Sequence, residues 1–195
     1  MNDSDVHEPP VNDRQLLLNI QKRDEQALAE LIRRYQKRLY QLTLRVCGDG
    51  SLAEEATVES FYKIWRKAHQ WQDDRSPGAW IYQIAVRTVL DLRRGRQRWR
   101  KRLQRAGMAM ENDSPPDLIE KIVAAEHHEH ISHELQRAIE TLKTEDRVLV
   151  HMFYFENRRL REIATIMDTT PDALKMRLSR ARKRLRQVLK EFDDE

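Results

Sequence analysis

The chain has 195 residues, enough for one large or two small domains. Hydrophobic residues make up 39% and charged residues 35%, so cores of modest size must lie beneath an unusually charged surface. No apolar run is long enough to span a bilayer, and the single cysteine, Cys47, excludes an intrachain disulfide and fits a reducing compartment. The polar, acidic start does not read as a signal peptide, so the expectation is a soluble cytoplasmic protein without membrane insertion. Five glycines, few prolines and abundant helix formers predict an all-α fold.

Residues 1–12 are polar, carry Pro9-Pro10, and read as a disordered tail. Asp13 is placed to cap a first helix carrying Leu16, Leu17 and Ile20. From about Asp24 the apolar residues Ala27, Leu28, Leu31, Ile32, Tyr35, Leu39, Leu42 and Val46 recur at three- and four-residue steps, predicting a long amphipathic helix. Cys47-Gly48-Asp49-Gly50 ends it with turn chemistry, and Ser51 to Glu54 reads as a capping box opening a helix to about Ala68. A polar loop, Gln70 to Arg75, follows. Ser76-Pro77 then predicts another helix start, and that helix continues through Trp80, Ile84 and Val89 into a basic run ending near Arg105 or Gly107. Eight of the thirteen residues from Arg93 to Arg105 are Arg or Lys, with no acid among them. Cations of this density favour phosphate contact over a solvated helix end, with Arg93, Arg94, Arg96 and Arg98 as the candidates.

Glu111 to Pro116 is polar and interrupted by two prolines, which marks a domain boundary. The expected organisation is a helical domain over 13–107, a flexible, acidic and His-rich linker over 108–134 that holds part of a helix from about Asp117 to Leu142, and a second helical domain over 135–195. Thr144 is placed to cap a helix holding Val148, Leu149 and Met152. Leu160 to Met167 forms a short amphipathic helix, Asp168-Thr-Thr170 breaks it, and Thr170-Pro171 opens the last one. In that last helix Leu174, Leu178, Ala181, Leu185 and Val188 make a packing seam, and the other faces are dense in Lys and Arg. A short helix, a tight turn and a basic second helix is the helix-turn-helix plan, whose second helix enters the major groove.

These blocks, in this order, resemble the bacterial RNA polymerase sigma factors of the extracytoplasmic-function (ECF) group within the sigma-70 family. The matching stretches are Asp24 to Tyr35, Ala53 to Phe61 with Trp65, Ala79 to Arg87, Asp91 to Arg94, then Leu142, Arg147, Arg161 to Ala164 and Leu174 to Arg182. The resemblance implies a subunit that binds core polymerase, directs it to promoters and helps open the −10 region. It implies that Glu54, Glu55, Glu59 and Lys63 dock on the clamp helices of the largest subunit, with the second domain at the flap. It implies −10 recognition by Trp71, Tyr82, Gln83, Arg87 and Asp91, where Trp71, Trp80 and Tyr82 would offer aromatic surface to an extruded base. Trp80 shares a face with Ile84 and is better explained as core. In the second domain Lys175, Met176, Ser179, Arg180 and Arg182 correspond to −35 contacts, with Met176 limited to an apolar contact such as a thymine methyl. The chain departs from the family at Val58, Arg87 and Asp168. An anti-sigma partner is implied as well, and a monomer is expected when the protein is free.

No glycine-rich phosphate loop and no nucleophile with a placed base occurs, so neither enzymatic activity nor a cofactor is expected. His127, His130 and His133 share a three-residue step, but histidines among Glu126, Glu129 and Glu134 are read as surface residues and not as a metal site. The alternative reading is a free-standing helix-turn-helix regulator binding duplex operators as a dimer, which leaves the N-terminal resemblance unexplained.

Overall fold

The computed structural model describes residues 12–106 and 133–193. Most of the expected tail, most of the linker, and His127 and His130 lie outside them. All regular elements among the described residues are helical: α1 (Asp13–Gln21), α2 (Glu25–Cys47), α3 (Gly50–Lys67), a short 3-10 turn (Ala68–Gln70), α4 (Pro77–Arg105), α5 (His133–Glu140), α6 (Thr144–Val150), a π-helical turn (His151–Phe155), α7 (Leu160–Met167) and α8 (Pro171–Asp193).

The helix starts show where side-chain oxygens meet the free N–H groups of a first turn. Ser76 and Thr170 cap α4 and α8 as expected, and Asp24 caps α2; each accepts a hydrogen bond two or three residues onward. Three starts differ. Asn12 caps α1 in place of Asp13, which is freed to accept from the Tyr35 hydroxyl at 2.6 Å and from Arg34 at 3.0 Å. Asp49, not Ser51, caps α3 and so pulls its start back to Gly50. Thr144 is the first residue of α6, which carries no side-chain cap. Gly48 ends α2 at φ 67°, a left-handed conformation that glycine adopts without strain. A Cβ there would also come within 3.2 Å of Glu140, so glycine lets the second half of the chain approach.

In the N-terminal half, α1 to α4 bury Leu17, Ile20, Leu31, Leu39, Leu42, Ile64 and Ile81 completely. Thr43 and Thr57 are also buried; their hydroxyls meet at 3.1 Å and bond to the Ala53 carbonyl, which removes the cost of burying them. α4 has 29 residues and spans about 43 Å at 1.5 Å per residue. Its fully buried residues end at Val89, Leu92 is the last apolar side chain to pack on the core, and Gln97 to Arg102 are exposed. In the C-terminal half, Leu149, Met152, Ile163, Leu174 and Leu178 form the centre. Asp168, at φ 54°, turns α7 into α8, a geometry that Asp tolerates better than most residues.

The two halves pack directly on each other, and their apolar side chains join in one continuous core. Arg147 of α6 is buried and donates from Nη1 to the Val46 carbonyl at 3.2 Å, from Nε to Leu142 at 3.2 Å, and from Nη2 to Glu140. Burial lowers its pKa to about 10. Arg93 reaches the same Val46 carbonyl from α4. Beside them, Arg45 lies 4.1 Å over the Phe155 ring and 3.2 Å from His151 Nδ1, while His151 Nε2 meets Glu156 at 3.1 Å.

This histidine has a defined consequence. The two contacts fit the neutral ring with its proton on Nε2, because a proton on Nδ1 would face the Arg45 guanidinium. Burial holds the pKa of His151 below 6.5, against the pull of Glu156. The unfolded chain then takes up a proton below pH 6.5 that the folded chain refuses, so stability is complete above that pH and declines as pH falls. Glu156, held below 4.5 by His151 and Arg158 despite burial, adds a loss of the same sign at lower pH. Thermal denaturation between about pH 7.5 and about pH 5.5 should show a falling Tm that His151→Gln flattens. Parallel slopes for wild type and variant would refute the assignment.

Candidate nucleic-acid and polymerase interface

The last helix presents its sides as the sequence predicts. Leu174, Leu178, Ala181 and Val188 are buried, while Lys175, Met176, Ser179 and Arg180 are exposed on the opposite side. Met176 is 64% exposed, a large apolar side chain left in solvent at the centre of a cationic face. Arg177 is turned away and pairs with Asp146 at 2.8 Å. Arg182 sits at the edge of the face, where its Nε donates to the Tyr154 hydroxyl at 2.5 Å and its guanidinium lies 5.6 Å from that ring. It is therefore held sideways by the π-helical turn and is set apart from the other four. The extra residue in that turn was not legible from periodicity.

In the N-terminal half the exposed side of α3 carries Glu54, Glu55, Val58 and Tyr62, spaced so that they share one face. Val58 is 70% and Tyr62 52% exposed. Tyr62 went unnoticed in the sequence, although its spacing of four from Val58 was available to find it. Glu59 and Lys63 pair at 3.5 Å, and Lys63 also donates to Thr88 at 3.3 Å, which ties α3 to α4. Glu55, Val58, Glu59, Lys63, Asp91 and Leu92 line one groove, so the α3 candidates and the α4 residue Asp91 adjoin.

Two expected DNA contacts are not at the surface. Trp71 is 3% exposed, and its indole N–H donates to the Arg75 carbonyl at 3.2 Å. Gln21 bonds the Trp71 and Ala68 carbonyls at 3.0 Å, so the loop is stapled to the end of α1 and its tryptophan is core. Trp80 is core as well. Tyr82 is fully buried between Tyr35 and the Arg158 guanidinium, which lies 3.9 Å over its ring. Helical periodicity put Tyr82 off the core face of its own domain, and the second domain covers it. Gln83 is half-buried and Arg87 exposed. Arg87 reaches Asp168 in the helix-turn-helix turn at 3.4 Å, a weak contact between two largely solvated groups.

The four phosphate candidates also divide. Arg93 is engaged with the Val46 carbonyl, Arg94 pairs with Asp91 at 3.4 Å and Glu145 at 3.2 Å, and Arg96 pairs with Asp49 at 2.8 Å. The expectation of cations without acidic partners fails for Arg94 and Arg96, because Glu145 and Asp49 reach them from other parts of the chain. Among the described residues Arg98 has no such partner, nor do Arg100, Lys101, Arg102 and Arg105 further along. Cys47 is half-buried, and burial pushes its thiol up to about 12, which fits a packing residue and not a nucleophile. Among the described residues no three His, Cys, Asp or Glu side chains group as a metal site, and no helix is long and apolar enough to cross a membrane.

An all-helical protein with a basic helix-turn-helix at one end and a four-helix unit at the other defines a DNA-binding class. Comparison with known proteins makes it specific. Residues 31–100 match Sigma-70 region 2 and residues 132–185 match Sigma-70, region 4. Together they cover well over half of the chain. It is 27% identical over 168 residues to the ECF RNA polymerase sigma factor SigE of Mycolicibacterium smegmatis, covering 85% of this chain and 63% of that protein. It is 24% identical to SigW of Bacillus subtilis, covering 89% and 94%, and 26% identical to the RNA polymerase sigma-H factor of Pseudomonas aeruginosa, covering 91% and 93%. The fold is similar to CnrH in its complex with the cytosolic domain of CnrY (TM-score 0.67, 17% identity, 92% of this chain and 97% of that one). It is also similar to RpoE in complex with the anti-sigma factor NepR from Bartonella quintana (TM-score 0.65, 18% identity, 83% and 96%). The chain belongs to the sigma-70 family, in the extracytoplasmic-function group. As such it is an alternative sigma factor, which directs RNA polymerase to promoters.

Proposed function

We propose that the two halves divide the work of promoter selection. Residues 13–107 dock on the clamp helices of the largest polymerase subunit through the α3 face of Glu54, Glu55, Val58, Glu59 and Tyr62. They engage the −10 element through Gln83, Arg87 and Asp91 of α4. Residues 135–195 bind the flap and read the −35 element with Lys175, Met176, Ser179 and Arg180. The observation that carries this reading is the exposed cationic side of α8 above a fully buried seam, in one chain with an exposed polar and apolar α3 face.

Tyr82 joins −10 recognition only after Arg158 has moved off its ring, so the packed halves must separate when polymerase and promoter are engaged. The chemistry of RNA synthesis belongs to the polymerase, and the protein works in the cytoplasm without a cofactor. One similar solved fold is a sigma factor in complex with an anti-sigma factor, and the other is in complex with the cytosolic domain of CnrY, which supports an anti-sigma partner for this chain too. The test is run-off transcription with core polymerase and a pool of promoter fragments, with and without the chain. Chain-dependent transcripts sharing two spaced upstream elements are expected. No transcript, together with no co-purification with core, would overturn the proposal.

A further inference from the structure

Beyond Arg96, the side chains of α4 make no hydrogen bond or ion pair with other described residues. After Val89 no residue of the helix is fully buried, and Gln97 to Arg102 are all exposed. A Cβ added at Gly95 would meet nothing within 4 Å, so no described residue outside the helix packs on it at that point. At about 100° per residue, Arg98, Arg102 and Arg105 fall on one stripe, one helical turn apart. None of the three has an acidic partner among the described residues, unlike Arg94 and Arg96 just before them. Beside the stripe stands Trp99, 56% exposed. Helical side chains lean over the preceding turn, and the residue one turn before Trp99 is Gly95, which has no side chain to cover the indole. An open aromatic face next to a row of unpaired guanidinium groups is the arrangement that binds single-stranded nucleic acid: cations track the phosphates and the ring stacks on a base.

We propose that Gly95 to Arg105 is a platform for single-stranded DNA, on which Trp99 stacks against an unpaired base while Arg98, Arg102 and Arg105 hold the adjoining phosphates. A duplex fits less well, because its base faces are consumed in the stack and would leave the indole only sugar edges. A lipid surface fits less well too, because this segment has only Trp99 and Leu103 as apolar side chains and so lacks the apolar face that an interfacial helix needs. The occupant rests on the promoter-opening reading above. Trp99 lies eight residues beyond Asp91, about 12 Å along the same helix, so a strand engaged at Arg87 and Asp91 can run on to it.

The full chain, without polymerase, is titrated into a fluorescein-labelled dT12 strand and a mixed-sequence 12-base-pair duplex, with anisotropy as the readout. Trp99→Ala should weaken dT12 binding about tenfold and duplex binding less than about twofold, and Trp99→Phe should restore most of the loss. Replacing Arg98, Arg102 and Arg105 together with Gln should weaken both probes and lower the salt slope of dT12 binding by roughly two. Each variant should keep the wild-type Tm, because the residues are exposed. The platform is overturned if wild type does not bind dT12 at low salt, if Trp99→Ala binds it like wild type, or if that variant loses strand and duplex equally. Run-off transcription on the same preparations separates the two readings. Strand binding that depends on Trp99 in a chain that neither directs a transcript nor co-purifies with core overturns the proposed division of promoter selection and leaves the platform, and transcripts from a chain indifferent to Trp99 do the reverse.

Discussion

Arg147→Met is expected to lower the unfolding free energy by roughly 3 kcal/mol, because it removes a buried guanidinium that serves three carbonyl acceptors. The carbonyl of Glu140 ends α5, that of Leu142 lies in the segment joining α5 to α6, and that of Val46 is in the last turn of α2. These acceptors sit at helix ends, where no N–H within the helix is available to them. A methionine fills much of the volume but donates nothing, so the buried Leu142 carbonyl and the part-buried Glu140 carbonyl lose this donor, while the Val46 carbonyl keeps Arg93. Arg147→Lys should recover only part of the loss, since an ammonium lacks the flat fork that spans three acceptors in different directions. Urea denaturation reads the effect directly. A loss below about 1 kcal/mol would mean that water or neighbouring side chains take over the acceptors, and that Arg147 does not fasten the two halves.

The second large effect belongs to the cationic side of α8. Lys175→Ala combined with Arg180→Ala should cut run-off from a promoter carrying its −35 element by roughly a hundredfold, if each side chain supplies one base-edge contact worth about tenfold. Neither residue packs in the core, so the variant should keep its Tm and still co-purify with core polymerase through α3. The informative comparison is a promoter with a scrambled −35 element, on which wild type and variant should differ by less than about threefold. A uniform loss on both promoters would reassign Lys175 and Arg180 to phosphate contact.

Much of this molecule was legible in one sequence, and the reasons are local. The periodic runs in Glu25 to Cys47 and Pro171 to Asp193 reflect helices with one buried side, and caps at Asp24, Ser76 and Thr170 announce themselves by residue type. The helix-turn-helix was readable because both helices are amphipathic and Thr170-Pro171 punctuates them. Caps at Asn12 and Asp49 were misplaced by one or two residues because neighbouring polar side chains could serve equally well by local rules. Tyr62 needed only closer attention to spacing on α3.

The candidate residues that turn out buried or paired have one cause in common. Trp71 looks like a loop aromatic, but Gln21, fifty residues earlier, ties down its carbonyl and closes the core around its ring. Tyr82 looks exposed on α4, but Arg158 from the other half covers it. Arg94 and Arg96 look like free cations until Glu145 and Asp49 arrive from distant elements. By itself the sequence determined the helices, the two-part organisation, the family and the cationic side of α8, since each depends on residues within a few turns of one another. Only the tertiary structure decided which aromatic rings are buried and which arginines remain unpaired, because burial and ion pairing depend on side chains brought together from far along the chain.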